Sequence, residues 1–221
     1  MTSGKPRTAA AFSIAPPRRG RPPRDDPARA DTRALLVQIG TEILSERGFD
    51  STGIDRVLRR AGVPKGSFYH YFASKHDFGV AVIDNYAAYF KQRLERIFGD
   101  ASLTPLARVD TFIESGIAGL RKYDFKRGCL VGNLGQEMSG LNEDFRRRLE
   151  AIMRDWEAAL EACLRAGQAA GEVDPRLDVR ATARFFWMSW EGAVLRAKLS
   201  KSDAPIDQFR ELFLTLLRRP A

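Results

Sequence analysis

Hydrogen-bonding side chains are concentrated in one short segment, VPKGSFYHYFASK at residues 63–75. Phe68 and Phe72 are four residues apart, so a helix here would point both rings into the same core. The other faces would then carry hydroxyls, an imidazole and an ammonium, where a solvated helix normally carries Glu, Lys and Ala. Such groups suit the base edges and phosphates of DNA. The segment therefore predicts a surface that binds nucleic acid.

Plainer interpretations of this segment stay open. Tyr69, His70 and Tyr71 are each candidates for partly buried packing residues of a small helical core. Metal binding is disfavoured because His70 and His76 are six residues apart, which is not the i, i+4 spacing of a helical metal pair. No nucleophile or paired carboxylates accompany them, and the two cysteines form no CxxC pair. We therefore expect no enzymatic activity and no cofactor.

Helical spacing of apolar residues predicts the elements that position this segment. A first helix over Asp31–Gly48 and a second over Thr52–Ala61 each carry apolar residues at three- and four-residue intervals. Gly62 and Val63 make a tight turn into a third helix over Pro64–Phe72. Two short helices joined by such a turn are typical of a DNA-binding helix-turn-helix.

The rest of the chain also has the pattern of helices. A fourth helix over Ser74–Ile97 would be about 35 Å long at 1.5 Å per residue, long enough to act as a strut between domains. We find no alternating strand pattern and no internal repeat, so the predicted fold class is all-α. Five further helices are predicted at 105–121, 126–139, 143–170, 176–198 and 206–218.

The excess of positive charge lies at the N-terminus. The 221 residues carry a formal net charge of +8, and residues 1–30 hold seven Lys or Arg residues against two Asp residues. Six of the eleven prolines lie there too, with few large apolar residues, so this segment buries too little to offset its ordering entropy. We predict a disordered basic arm at 1–30, a helix-turn-helix domain at 31–76 and a helical ligand-binding and dimerisation domain at 77–221.

Residues Thr52–Phe78, with AGVPKGSFYHYFASK at their centre, resemble the DNA-binding signature of the TetR family of bacterial repressors. The segment ERGFDST at 46–52 is similar to the same family, whereas Gly53 departs from it because many members carry a larger side chain there. The resemblance implies a dimeric repressor that holds double-stranded operator DNA and releases it when a small-molecule inducer binds. It also implies a phosphate contact by Thr52 and a backbone contact by Lys75. The implied DNA-binding residues are Thr52, Pro64, Lys65, Gly66, Ser67, Tyr69, His70, Tyr71 and Lys75.

The basic arm adds a candidate contact in the minor groove. Arg19, Gly20, Arg21 and Pro22 match the core of an AT-hook-like element, in which two arginines held around a glycine lie along a narrow groove. A solvated basic tail is the alternative interpretation, since the match covers four residues. Arg19 and Arg21 join the predicted DNA contacts.

An aromatic segment, FFWMSW at 185–190, would place apolar side chains all round one helical turn. Such a turn has more apolar surface than one packing face can cover. It could serve a ligand cavity and a subunit interface at once, with plain core as the alternative for any single residue. The segment GCLVGNLGQEMSG at 128–140 is similar to a TetR subgroup that senses small electrophilic or aromatic compounds. Within it, Cys129 is a candidate for reaction with an electrophile or for an inert buried thiol. The candidate ligand-binding residues are Tyr123, Asn133, Glu137, Arg184, Trp187 and Trp190.

Across its length the chain also resembles the acrylate-utilisation repressors, which implies acrylate or a related small carboxylate as the inducer. By the family resemblance the helices at 176–198 and 206–218 form a homodimer through a four-helix bundle. No apolar run approaches the roughly 18 residues of a membrane-spanning helix, so we expect a cytoplasmic protein without a membrane partner. Two rival functions stay open: a non-specific architectural DNA-binding protein that uses the basic arm, and a helical enzyme acting on a small ligand.

Overall fold

The structure is a computed structural model that describes residues 27–218. The regular secondary structure of these residues is helical. The predicted all-α fold class is confirmed. None of the helices in this part of the chain is both long enough and apolar enough to cross a membrane. The elements are α1 Pro27–Arg47, α2 Ile54–Ala61, a 3₁₀ turn at Lys65–Ser67, α3 Phe68–Tyr71, α4 Lys75–Phe98, α5 Pro105–Lys122, α6 Leu130–Met138, α7 Glu143–Ala169, α8 Val179–Ser200 and α9 Ala204–Leu217.

Two N-terminal helices begin at residues other than those predicted. α1 is already helical at Pro27, the first residue that the structure describes, and therefore includes residues before the predicted start at Asp31. α2 begins at Ile54 rather than Thr52, because the Thr52 hydroxyl donates to the Gly48 carbonyl oxygen at 2.7 Å and stays with the preceding turn.

Two C-terminal helices also begin later than predicted, because a capping side chain sets each start. α6 begins at Leu130 rather than residue 126, where the Cys129 Sγ accepts the Gly132 N–H at 3.4 Å. α8 begins at Val179 rather than residue 176, where the Asp178 carboxylate accepts two backbone N–H groups of the first turn.

A cluster of phenylalanine rings holds α3 against α1 and α4. Phe68 and Phe72 are 1% and 4% exposed, which confirms that both point inward. Their ring centroids lie 5.8 and 5.1 Å from that of Phe78 on α4. Gly40 on α1 makes room for this cluster, since a Cβ there would lie 2.4 Å from the Phe78 ring. The close crossing of α1 and α4 therefore sets the orientation of α3.

The C-terminal helices surround a second, larger aromatic core, to which α4 also contributes. Phe90 on α4 stacks 4.1 Å from Trp156 on α7, and Trp187 on α8 lies 5.0 Å from Trp156. The aromatic segment of α8 divides between this core and the surface: Trp187 is 0% exposed, whereas the neighbouring Met188 is 66% exposed. α4 thus belongs to both cores and connects them as one continuous helix.

Candidate nucleic-acid interface and ligand cavity

The exposed face of α3 carries an aromatic hydroxyl and an imidazole. Tyr69 is 71% exposed, and the next residue, His70, is also exposed. Phe68, which precedes them, is buried in the core. Tyr71 is half-buried and packs against the core, as the packing interpretation expected for this residue. On α1, the Arg29 guanidinium donates to the His70 carbonyl oxygen. The helix therefore presents two side chains outward while its backbone is held from below.

The turn before α3 is compact and open to solvent. Gly62 adopts a left-handed conformation with φ 67°, and its N–H caps the end of α2 by donating to the Arg59 carbonyl oxygen at 3.3 Å. Pro64, Lys65 and Gly66 are exposed and Ser67 is half-buried. A Cβ at Gly66 would meet no atom within 4 Å, so the backbone is accessible here. The Lys65 ammonium lies 2.8 Å from the Asp55 carboxylate.

Four of the predicted DNA contacts are buried, already hydrogen-bonded within the protein, or outside the described residues. Thr52 is 2% exposed and its hydroxyl already donates to a carbonyl oxygen, so the structure does not offer it to a phosphate. Lys75 is half-buried, with its Nζ donating to the Asp50 carbonyl oxygen at 3.1 Å and lying 4.6 Å from the centroid of the Phe49 ring. Arg19 and Arg21 lie outside the described residues.

A cavity of about 440 Å³ lies where α1, α4, α5 and α8 meet. Tyr123 and Trp190, two of the predicted ligand-binding residues, line it. The loop before α6 contributes Arg127 and Cys129. α1 forms a further part of the cavity wall, through Gln38, Thr41, Glu42 and Ser45.

Two other predicted ligand residues instead join α6 to α1. The Asn133 Nδ2 donates to the Ser45 carbonyl oxygen at 3.0 Å. The Glu137 carboxylate accepts the backbone N–H groups of Phe49 and Asp50, each at 2.7 Å, just past the end of α1. These bonds attach the C-terminal half of the chain to the helix-turn-helix unit.

The remaining two predicted ligand residues lie away from this cavity. Trp187 is fully buried in the aromatic core, where its indole packs against Trp156 and Phe112. Arg184 lies 3.4 Å from the Glu157 carboxylate in a polar surface groove between α7 and α8. Helical spacing alone could not distinguish these environments, because both residues flank apolar positions on the same helix.

Two arginines that sequence reasoning did not select line the cavity. The Arg127 guanidinium is paired with the carboxylates of Glu42 at 3.1 Å and Glu46 at 2.7 Å. The Arg93 Nη2 donates to the Ser115 Oγ at 2.7 Å. A signal for Arg93 exists in the sequence, since it lies three residues after the buried Phe90 and shares its helix face.

Cys129 and Tyr86 of the cavity lining form a half-buried group with Glu191. The Tyr86 hydroxyl lies 3.9 Å from the Cys129 Sγ. Burial, and then the nearby Glu191 carboxylate, raise the pKa of the Cys129 thiol well above its usual value. Burial also raises the pKa of Glu191 to about 7. The thiol is therefore held protonated, which is the less nucleophilic form.

A larger groove of about 670 Å³ lies between α4 and α7. Its two cationic side chains already have partners: Lys91 lies 3.9 Å from the Glu95 carboxylate, and Arg108 donates to the carbonyl oxygens of Leu103 and Phe98. Alanines form much of the remaining lining. The smaller cavity is therefore the better candidate for a polar ligand.

Comparison with known proteins relates both halves of the chain to one group of regulators. Residues 36–82 match the profile described as bacterial regulatory proteins, tetR family, and residues 105–213 match the profile of a tetracyclin repressor-like C-terminal domain. The chain is 46% identical to the transcriptional regulator AcuR of Cereibacter sphaeroides over 89% of this chain and 90% of that protein. It is 34% identical to the HTH-type transcriptional repressor DhaR of Mycobacterium sp. strain GP1, over 82% of this chain and 90% of that protein.

A solved structure has the same fold. The crystal structure of a regulatory protein TetR from Rhodobacter sphaeroides superposes with a TM-score of 0.81 at 44% sequence identity. The match covers 84% of this chain and 98% of that one.

Proposed function

The chain belongs to the tetR family of bacterial regulatory proteins, and from that premise we propose that this DNA-binding repressor reads its operator with α3 and is released by a small carboxylate. The DNA-binding domain would comprise α1–α3 and the first turn of α4. The boundary between the two predicted domains, near residue 76, then lies inside α4. A movement of either domain would therefore be transmitted along one continuous helix.

One observation carries the reading role of α3: Tyr69 and His70 are exposed although Phe68 is buried beside them. Exposed groups on a helix with a fixed orientation can reach base edges in the major groove. The open turn at Lys65 and Gly66 supports a phosphate approach, through an ammonium and accessible backbone. Thr52 is left out of this proposed interface.

Fluorescence anisotropy with DNA from upstream of the gene, titrated at several salt concentrations, tests this assignment. His70→Ala should reduce the preference for operator over scrambled DNA, because the imidazole is assigned to a base edge. Lys75→Ala should weaken binding to both DNAs about equally and reduce the salt slope by about one, as expected for a lost phosphate contact. Lys91→Ala, an exposed change farther along α4, is the control and should leave both affinities unchanged. Identical behaviour of the first two variants would contradict the assignment.

Dimerisation through α8 and α9 is supported by exposed apolar side chains on both helices. Met188 and Leu199 on α8 are 66% and 69% exposed, and Leu212 on α9 is 65% exposed. A shallow apolar groove runs between them, lined by residues of both helices. Contiguous apolar surface of this kind marks an interaction site, and a second copy of the same face would cover it.

Induction would begin at the cavity wall that α1 provides. A ligand in the cavity contacts α1 of the reading domain and α4, α5 and α8 of the other domain, so it can favour one relative position of the two. Two reading helices must be about 34–36 Å apart to enter successive major grooves. A ligand that prefers another spacing lowers operator affinity, with a typical coupling of 5- to 150-fold. Similarity to AcuR, together with the unpaired Arg93 in the cavity, supports acrylate or a related carboxylate as that ligand.

A further inference from the structure

Arg93 on α4 is half-buried at the cavity and uses few of its hydrogen-bond donors. Its Nη2 donates to the Ser115 Oγ at 2.7 Å, and the Ser115 hydroxyl donates in turn to the Phe112 carbonyl oxygen, also at 2.7 Å. A guanidinium has five N–H donors. Within residues 27–218 the bond to Ser115 is the only hydrogen bond that the Arg93 side chain makes, and no carboxylate lies within ion-pairing distance of it.

The surroundings of the Arg93 guanidinium stabilise its charge only in part. Its Cζ lies 5.4 Å from the centroid of the Phe90 ring and 5.3 Å from that of Phe112. Such rings attract a cation but accept few of its N–H bonds. Burial accordingly lowers the pKa of Arg93 from its ordinary value, which is the direction expected for a cation removed from water. A desolvated guanidinium with free donors favours an anionic partner.

Arg127, which lines the same cavity, provides an internal comparison. Its charge is compensated by Glu42 and Glu46, and its guanidinium lies 4.1 Å from the centroid of the Tyr123 ring. Glu42, the carboxylate in the cavity lining, also pairs with Arg60. The lining therefore retains one uncompensated positive charge, and it belongs to Arg93.

We propose that Arg93, oriented by Ser115, is the carboxylate-binding residue of this cavity, and that the apolar part of the ligand lies against Phe112 and Trp190. The proposal rests on the assignment of this cavity as the inducer site. A planar guanidinium matches the two oxygens of a carboxylate, which an ammonium or an amide does not. The Trp190 ring packs directly on α5, since a Cβ at Gly116 would lie 2.4 Å from it. The ligand class is thus a monocarboxylate with a short apolar tail.

Isothermal titration calorimetry with acrylate, propionate and acrylamide tests the proposal on the full-length protein. Acrylate and propionate should bind, whereas acrylamide, a neutral analogue of the same shape, should bind at least about tenfold more weakly, or 1.4 kcal/mol. Arg93→Gln should lower acrylate affinity by at least tenfold, and Arg93→Lys should restore part of it because the charge remains. Ser115→Ala should cost several-fold through loss of the orienting hydroxyl. Arg96→Gln, an exposed change one turn along the same helix, is the control and should stay within twofold.

Operator release, measured on the same samples, separates this proposal from the proposed function. Carboxylate binding that depends on Arg93 but leaves the operator complex intact supports the binding site and contradicts the inducer role. Release of DNA by acrylate with equal potency for the wild type and Arg93→Gln overturns the role of Arg93 and leaves the repressor function standing. Two results with the wild-type protein alone would overturn the proposal. One is equal affinity for acrylate and acrylamide, and the other is no binding of either carboxylate.

Discussion

Glu137→Ala should weaken the attachment of α6 to the helix-turn-helix unit, which then depends on the Asn133 bond to Ser45. The Glu137 carboxylate accepts the N–H groups of Phe49 and Asp50 at 2.7 Å each, and these donors lie 88 and 87 residues away in the chain. A hydrogen bond to a charged group contributes about 1.5–3 kcal/mol, and the lower figure applies because the carboxylate is half-buried. The loss of both bonds should therefore lower the free energy of unfolding by about 3 kcal/mol.

Urea unfolding at one fixed protomer concentration measures this change, because the stability of an oligomer depends on concentration. Glu150→Ala is the matched control: its carboxylate makes an exposed helical pair with Arg154 at 2.9 Å, a pair worth about 0.3–0.5 kcal/mol. Hydrogen exchange at the Phe49 and Asp50 amides should accelerate only in Glu137→Ala. A loss below about 1 kcal/mol with unchanged exchange at both amides would refute the reasoning.

The same variant addresses the coupling between inducer and DNA. If α6 transmits part of the strain from the cavity to α1, the ratio of inducer affinities with and without operator should move towards one in Glu137→Ala. Thermodynamic linkage requires the operator affinity to change by the same factor on ligand binding. An unchanged ratio would assign the coupling to α4 and the cavity wall alone.

Three further predictions concern other parts of the chain. Leu212→Glu places a charge on the exposed face of α9 and should shift sedimentation from dimer towards monomer, whereas a dimer unaffected by it would place the interface elsewhere. The pKa of Glu191 is raised to about 7 from 4.5, so between these pH values the native state binds more protons than the unfolded state. The free energy of unfolding should therefore fall by at most about 3 kcal/mol as pH rises from 5 to 8. Urea unfolding of Glu191→Gln should show no such fall. Deletion of residues 1–26 should weaken binding to all DNA while the preference for operator survives; loss of that preference would favour the architectural alternative.

Local patterns in the sequence were sufficient to predict which side chains of α3 face the core. Phe68 and Phe72 were expected inward because they are four residues apart, and the structure buries both beneath the exposed Tyr69. Helical periodicity is a property of neighbouring residues, so it can be recognised without knowledge of the fold. Exact helix starts were less accessible: α6 begins at Leu130 because a cysteine sulfur caps it, an uncommon cap that composition does not reveal.

The cavity between α1, α4, α5 and α8 depended on tertiary structure. Arg93 and Ser115 lie 22 residues apart on α4 and α5, and their contact exists because those helices cross beside α1. Arg184 was an equally reasonable choice from sequence, yet α8 directs it to a surface carboxylate. The sequence by itself determined which residues form helices and which faces are apolar, since both follow from short-range spacing. Which arginine has a counter-ion was decided by the crossing of distant helices, because a charge is compensated by whatever lies near it in space.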